Sequence, residues 1–126
     1  MNLFNRFVIL FHDNPMPHYD FMMEKPHKLE TWRFNMLPGK APFLAEKSND
    51  HRLEYLDYEG PISRNRGTVK KIDKGTYKLI ADSEFFIIIE IVGEKYRGTI
   101  NLDKLGQNSF LGSFLDDNNV NQEGIS

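Results

Sequence analysis

Two histidines and an aspartate lie close together near the start of the chain, in the run FHDNPMPHYDFMME. His12, His18 and Asp20 offer two imidazoles and a carboxylate, a mixed nitrogen and oxygen ligand set that suits manganese, zinc or iron. Three protein ligands would leave coordination positions open for water or a substrate. The spacing therefore predicts a divalent metal site, without distinguishing among these ions.

The elements that must position these residues are two strands. Residues 6–11 form a nearly continuous apolar run and residues 18–24 alternate with period two, so each segment predicts a strand. The stretch between them, residues 13–17, contains two prolines. Because proline cannot donate a hydrogen bond to a strand ladder, this stretch predicts a connecting loop. In such a hairpin His18 and Asp20 project to one side of their strand, and His12 ends the partner strand beside them.

A second group of chemically useful side chains lies in the run NDHRLEYLDYEG. His51 and Tyr55 are four residues apart, a spacing that lets two side chains on a helical turn face the same pocket. An imidazole can act as general acid or donate to a phosphate oxygen, and a tyrosyl hydroxyl can donate to another. Together with a metal site, this group favours an enzyme of phosphate esters. The alternative is that Tyr55 and Tyr58 are core aromatics and His51 is simply exposed.

Length and composition describe one globular domain. The chain has 126 residues, of which 40% are hydrophobic and 13% aromatic, enough for a core of its own. It has no cysteine, which excludes disulfides and thiolate metal sites and fits a reducing compartment. Without a recognisable secretion signal or an apolar span of about 20 residues, we expect a cytoplasmic location and no membrane partner.

The charge distribution is uneven. The net charge of −2 argues against bulk electrostatic binding of duplex DNA. If a polyanion binds, we expect it near the segment 63–78, although a solvated strand face explains such a run equally well. The basic residues of this segment are Arg64, Arg66, Lys70, Lys71, Lys74 and Lys78.

The remaining pattern is typical of an antiparallel β protein. Gly and Pro turns separate further predicted strands at residues 29–34, 43–47, 67–73, 75–81, 85–92 and 96–102. An Asp-Lys-Gly turn at 73–75 is expected to make a hairpin of the two strands beside it. Many short strands with few short helical turns predict an all-β sandwich or a small closed or partly open barrel. We expect one domain over residues 1–115 and a disordered tail at 116–126.

Several blocks occur in the order of a known family: RFVILFHDNPMPHYDFMME with KLETW, then DHRLEYLDYEG, GTVKKIDKGTY and IEIVGEKYRGTINL. Over residues 6–102 they resemble the 3′-phosphoesterase domain of the bacterial end-joining DNA ligase/polymerase, the DNA ligase D family. The resemblance implies a small β-barrel hydrolase for DNA repair. Such an enzyme uses manganese to remove a 3′-terminal ribonucleoside and then the 3′-phosphate. The implied partners are nucleic acid 3′ ends and a separate DNA ligase or polymerase.

The resemblance also assigns roles to residues. It makes His12, His18 and Asp20 the metal ligands, and it makes His51 and Tyr55 the groups that bind the scissile phosphate and take part in catalysis.

Acidic residues of the first block are expected to play a supporting role. Asp13 follows one ligand directly, and Glu24 matches an acidic position of the family. We expect both to support a metal ligand or a basic neighbour.

The chain also departs from the family pattern. Met22 and Phe43 stand where the family has arginines, and Asn49 stands where it has an acid. An N-terminal extension that the family uses in its ribonuclease step is not expected here. The loop after YEG is shorter, and Arg64 or Arg66 on that loop could supply the missing phosphate contact.

Two other functions are compatible with the sequence. The lost arginines fit a catalytically weakened metal-binding module, or one that recognises nucleic acid ends beside a ligase or polymerase. A cupin-like barrel whose His/His/Asp set holds iron for oxygen chemistry is the third interpretation.

Overall fold

A computed structural model describes residues 4–118, and the alternating apolar pattern forms strands through most of this range. The strands are β1 Arg6–His12, β2 His18–Glu24, β3 Leu29–Phe34, β4 Phe43–Lys47, β5 Gly60–Pro61, β6 Thr68–Asp82, β7 Phe86–Gly93, β8 Arg97–Lys104 and β9 Ser109–Asp116. A short 3₁₀ helix covers Leu53–Leu56. Within residues 4–118, no helix is long and apolar enough to cross a membrane.

The strands close into an antiparallel barrel. Neighbours follow the order β1, β2, β3, β4, β9, β8, β7, β6, and β1 also pairs with β6. Each strand of this ring therefore has a hydrogen-bonded neighbour on both sides. The two-residue β5 lies outside this ring, paired with the start of β6. The predicted all-β, antiparallel barrel is confirmed.

The barrel interior is filled by one side of each strand. Aromatic rings dominate it: Phe21 and Phe34 stack at 5.4 Å, and Trp32 meets Phe110 edge to face at 4.7 Å. Phe43 also points inward, and its ring occupies the space that a side chain at Gly112 would need. Aromatic packing of this kind makes the barrel wall a rigid support for a site.

A second apolar cluster lies on the outer side of the same wall. We call it the outer cluster; it consists of Val8, Leu10, Met22, Leu29, Leu56 and Val69. The 3₁₀ helix contributes Leu56, so the segment around it is held against β1 and β2. These two strands are therefore buried on both faces, which explains the nearly continuous apolar character of β1.

The predicted hairpin around residues 73–75 is wrong, because β6 runs without interruption from Thr68 to Asp82. Gly75 pairs with Phe7 on one side and with Gly93 on the other. A Cβ at Gly75 would lie 2.0 Å from the carbonyl oxygen of Val92. The glycine therefore allows close approach of two backbones within a sheet rather than a turn.

Strand β9 was not expected from the sequence. Its inward positions include Gly112, and the strand lacks the β-branched residues that mark β7. β9 nevertheless joins β4 to β8 and completes the barrel. Most of the tail predicted at 116–126 lies outside the described residues, so its disorder and the domain boundary stay predictions.

Candidate functional site

The three candidate ligands meet at the loop end of the β1–β2 hairpin. His12 and His18 are direct cross-strand partners, and Asp20 lies two residues further along β2. One ligand atom from each side chain lies within 4.8 Å of the others. The cluster faces the outer side of the barrel, beyond the outer cluster, and His18 and Asp20 are buried. Local strand alternation therefore brings together the ligand set proposed from the sequence.

Hydrogen bonding orients the His18 ring toward the aspartate. Its Nδ1 lies 2.7 Å from the carbonyl oxygen of Met16, an acceptor only, so we assign the ring proton to Nδ1. The Nε2 lone pair then faces Asp20 Oδ1 at 3.2 Å. This nitrogen is buried and has no hydrogen-bond partner within residues 4–118.

His12 is oriented in the same way. Its Nε2 donates to the carbonyl oxygen of Arg66 at 2.7 Å, which leaves the Nδ1 lone pair facing Asp20 Oδ2 at 3.6 Å. Two imidazole lone pairs and a carboxylate then converge with no proton between them, an arrangement that a cation would stabilise. Backbone carbonyls that orient metal-binding histidines are common around metal sites. The residues fit a divalent ion, so the cluster could bind a metal.

Asp13 anchors the loop that carries the Arg66 carbonyl. Its Oδ1 accepts a hydrogen bond of 2.8 Å from the Thr68 backbone. Gly67, with φ +88°, packs against Asp13 so closely that a Cβ there would lie 2.3 Å from Oδ1. Through this contact Asp13 supports the carbonyl that orients His12.

Glu24 lies at the opposite end of β2. Its Oε1 accepts from the Arg6 backbone at 3.1 Å, and its carbonyl oxygen accepts from the Tyr77 hydroxyl at 2.7 Å. The negative charge of Glu24 also contributes to a raised Arg6 pKa, after the larger effect of a hydrogen bond from the Arg6 side chain to Asp57. These contacts are with a basic neighbour and a tyrosine at the far end of the barrel wall.

A polar cleft of about 630 Å³ lies beside the candidate ligands His12, His18 and Asp20, the three side chains that we call the metal cluster. His12 and Asp20 line it, and so do His51 and Tyr55. The rest of the lining comes from Met22, Arg33, Ser48, Asn49, Asp50, Arg52, Ile62, Ser63, Arg64, Arg66 and Val69. The structure therefore brings both chemically useful groups of the sequence to one cleft.

His51 is held by backbone contacts. It forms an isolated β-bridge with Leu29, and its Nδ1 lies 2.8 Å from the Asn49 carbonyl oxygen. Its ring meets the Tyr55 ring edge to face at 5.8 Å. With Nδ1 donating to Asn49, only Nε2 is left for a ligand in the cleft.

The 3₁₀ helix that carries Tyr55 is tied to the barrel. Tyr55 and Tyr58 are half-buried against the outer cluster, so they are packing aromatics, and Tyr55 also lines the cleft. Arg6 on β1 contacts Asp57, just after the helix, at 2.7 Å. The hydrogen bond from Arg6 lowers the pKa of the Asp57 carboxyl below its ordinary value. The packing against the outer cluster and the Arg6–Asp57 contact together hold Tyr55 in place.

The positions that differ from the family pattern lie in different parts of the structure. Met22 is buried in the outer cluster at the base of the cleft, whereas Phe43 is buried inside the barrel. The Arg66 guanidinium donates to the Ser63 carbonyl at 2.9 Å and to its Oγ at 3.2 Å. Arg64 lines the cleft from an exposed turn, with φ 64°.

Arg33 is a cleft residue that the sequence analysis did not identify. It lies directly opposite Asp20 in the β2–β3 pairing. The inward position of Trp32 already places Arg33 on the outer face by alternation. Its proximity to Asp20 depends on the strand register, which the short turn after β2 sets and which the pattern did not reveal.

Known proteins share this arrangement of blocks. Over residues 11–107 the chain matches the family described as the DNA Ligase D 3′-phosphoesterase domain. The multifunctional non-homologous end joining protein LigD of Mycobacterium bovis is 42% identical over 79 residues, which are 58% of this chain and 10% of that protein. A LigD of Pseudomonas aeruginosa is 32% identical over 83 residues, 61% of this chain and 10% of that protein. The chain spans about a tenth of the length of these relatives. Because the family match covers most of its residues, this chain belongs to the DNA ligase D 3′-phosphoesterase domain family.

Proposed function

We propose that this protein is a divalent-metal-dependent phosphoesterase that removes phosphate or a ribonucleotide from 3′ ends of nucleic acid during DNA end repair. Mn²⁺ is the ion we propose. One observation carries the proposal: two metal-ligand candidates and two phosphate-binding candidates line the same cleft. The family membership and the end-joining proteins among the relatives support it. A DNA ligase or polymerase is the proposed partner.

The chain's own residues supply positioning and charge. His12, His18 and Asp20 would hold the ion, which when bound would polarise a phosphoryl oxygen or supply hydroxide. Because Nδ1 of His51 is engaged with a carbonyl, a protonated ring would present Nε2–H to a phosphate oxygen. Within the described residues the Tyr55 hydroxyl makes no hydrogen bond, so it is available to donate to a second oxygen.

Charge developing on the phosphate would be neutralised by side chains of the cleft. The His51 ring and the Tyr55 hydroxyl line this cleft together with His12 and Asp20. Arg64 and Arg66 add positive charge to the cleft lining. Two of the Arg66 N–H groups already donate to Ser63.

The test is phosphate release from a primer-template that carries a 3′-phosphate, with and without Mn²⁺. We expect Mn²⁺-dependent release by the wild type and a loss of at least about 100-fold in His51→Ala, in line with the size of acid–base and electrostatic contributions. His27→Ala, which changes an exposed histidine in the turn before β3, is the matched control. Absence of release by metal-loaded, folded wild type would contradict the proposal.

A second candidate function is recognition of nucleic acid ends without hydrolysis. Met22 favours it, because this position packs in the outer cluster and offers no charge to a phosphate. Binding of the 3′-phosphorylated primer-template without phosphate release would support this function over the first. No contact in the described structure favours iron-dependent oxygen chemistry over these two functions.

A further inference from the structure

We infer that the guanidinium of Arg33 binds the substrate phosphate in this cleft. The inference rests on the proposed function in that it concerns the same cleft and names the group that recognises the phosphoryl oxygens. It assigns the role to a strand residue beside a metal-ligand candidate rather than to the arginines of the loop after β5.

The register places Arg33 in a row of outward side chains that crosses the barrel wall. Asp20 on β2 and Glu46 on β4 are its direct cross-strand partners. Side chains at directly opposed positions of antiparallel strands lie about 4.5–5.5 Å apart at Cβ and point to the same face. Arg33 therefore leaves the sheet next to Asp20, and it lines the cleft that also contains His51.

The guanidinium of Arg33 has no partner within residues 4–118, although carboxylates stand on both neighbouring strands. No ion pair joins it to Asp20 or Glu46, and it donates no hydrogen bond in this part of the chain. Its Nε is buried and unsatisfied. A buried donor without an acceptor is unfavourable, so the arrangement favours an acceptor that arrives from the cleft.

Most other cations around the cleft are already engaged. Arg66 donates to Ser63, and Arg52 pairs with Glu54 at 2.9 Å. Lys47, on the strand next to Arg33, lies over the Trp32 ring at 5.5 Å. Arg33 thus combines partial burial, a rigid strand and free donors.

The chemistry of the ligand follows from the shape of the donor group. A guanidinium presents a planar fork that donates to two oxygens of one phosphate, whereas an ammonium acts as a point charge. An ion on the metal cluster and the Arg33 fork, both beside Asp20, would contact oxygens of the same phosphoryl group. The site would therefore take a phosphate monoester or diester, since each has at least two non-bridging oxygens.

The test uses inorganic phosphate as the probe, titrated by calorimetry into Mn²⁺-loaded full chain. We expect Arg33→Ala and Arg33→Met to weaken phosphate binding at least tenfold, and Arg33→Lys to recover part of that loss. Arg33→Met keeps the apolar stem, so it separates loss of the fork from loss of packing. Arg97→Ala, at the exposed start of β8, is the arginine control and should bind phosphate as the wild type does.

Mn²⁺ affinity is measured in every variant and should stay within twofold of wild type. Phosphate affinity within twofold of wild type in both Arg33→Ala and Arg33→Met would overturn the inference. An equal loss of Mn²⁺ affinity in both would also overturn it, since Arg33 would then act on the metal cluster. The titration needs no turnover, so phosphate binding through Arg33 in a protein that releases no phosphate would refute the proposed function alone.

Discussion

His18 Nε2 and Asp20 Oδ1 lie 3.2 Å apart on the outer face of β2, and no hydrogen bond joins them. The ring proton is engaged on the other nitrogen, with the Met16 carbonyl. Two electron-rich atoms held this close in a buried site repel each other unless a cation lies between them. This relationship is the physical basis for the proposed metal site, and it depends on a single orienting carbonyl.

Replacing His18 should remove most of the metal affinity. We expect His18→Ala to weaken Mn²⁺ binding by more than about 100-fold, because loss of even an orienting partner of a ligand typically costs 10- to 100-fold. Calorimetric titration of Mn²⁺ into the metal-free protein measures the change. His27→Ala serves as the control, and equal Mn²⁺ affinity in the two variants would contradict the assignment.

A methyl group at position 67 should disturb both folding and the metal site. Gly67→Ala places a Cβ at a positive φ and 2.3 Å from the Asp13 carboxylate, so we expect a loss of about 1–3 kcal/mol of unfolding free energy. The loop must shift, and the Arg66 carbonyl that orients His12 shifts with it.

Urea unfolding and Mn²⁺ titration measure the two effects of this substitution. Gly39→Ala is the matched control, because a Cβ there would meet only the Leu37 carbonyl oxygen, at 4.0 Å. Gly67→Ala with wild-type stability and wild-type Mn²⁺ affinity would show that the loop does not support His12.

The buried carboxylate of Asp73 should be a major stabiliser of the barrel. It accepts backbone hydrogen bonds from Glu94, Lys95 and Tyr96 at 2.9–3.0 Å, and so shapes the turn between β7 and β8. Asp73→Ala would leave these donors without a partner, at about 1–3 kcal/mol for each one that water does not reach.

Chemical denaturation of Asp73→Ala and Asp73→Asn measures this contribution. The amide keeps one acceptor oxygen, so we expect Asp73→Asn to fall between the wild type and Asp73→Ala. Asp103→Ala, at an exposed position of β8, should change the unfolding free energy by less than about 0.5 kcal/mol. An equally small effect of Asp73→Ala would contradict the role of this carboxylate.

Stability at alkaline pH should report on Tyr77. Burial raises the pKa of its hydroxyl above the ordinary value of 10.0, with smaller contributions from Glu30 and Glu24. A folded-state pKa above the unfolded one means that the neutral phenol stabilises the fold fully below pH 10. This stabilisation is then lost as the pH rises through the higher folded-state pKa.

The comparison with Tyr77→Phe isolates that group. At pH 7 we expect the variant to be less stable by about 0.5–1.5 kcal/mol, because the hydrogen bond to the Glu24 carbonyl is lost. Above pH 10 the difference should shrink, since the variant has no phenol to ionise. If the difference in unfolding free energy between the wild type and Tyr77→Phe stayed constant from pH 7 to pH 11, ionisation of Tyr77 would not control stability in this range.

Sequence patterns predicted the part of the site that depends on local alternation. Two prolines between a continuous apolar run and a period-two run were enough to place His12 beside His18 and Asp20, because a short loop brings adjacent strands together. The helical turn expected to carry both His51 and Tyr55 is wrong, because the 3₁₀ helix covers only Leu53–Leu56 and His51 lies before it in a β-bridge with Leu29. The two rings nevertheless meet edge to face at 5.8 Å. The all-β class follows from the number of short strands.

Other features depend on contacts between distant segments. Gly75 looks like a turn residue until β7 packs across it, and β9 pairs with β4 although more than 60 residues separate Phe43 from Gly112. Such pairings are chosen by the closure of the barrel, which no local pattern encodes.

The amino-acid sequence by itself determined the fold class, the ligand types and their order along the hairpin, because these depend on side-chain chemistry and period-two alternation. Only the tertiary structure decided that His51 and Tyr55 share a cleft with the metal cluster and that Arg33 stands beside Asp20. It also decided that Met22 packs in the outer cluster rather than meeting a phosphate. The physical reason is that strand register and barrel closure set distances between side chains, and both arise from the packing of the whole chain.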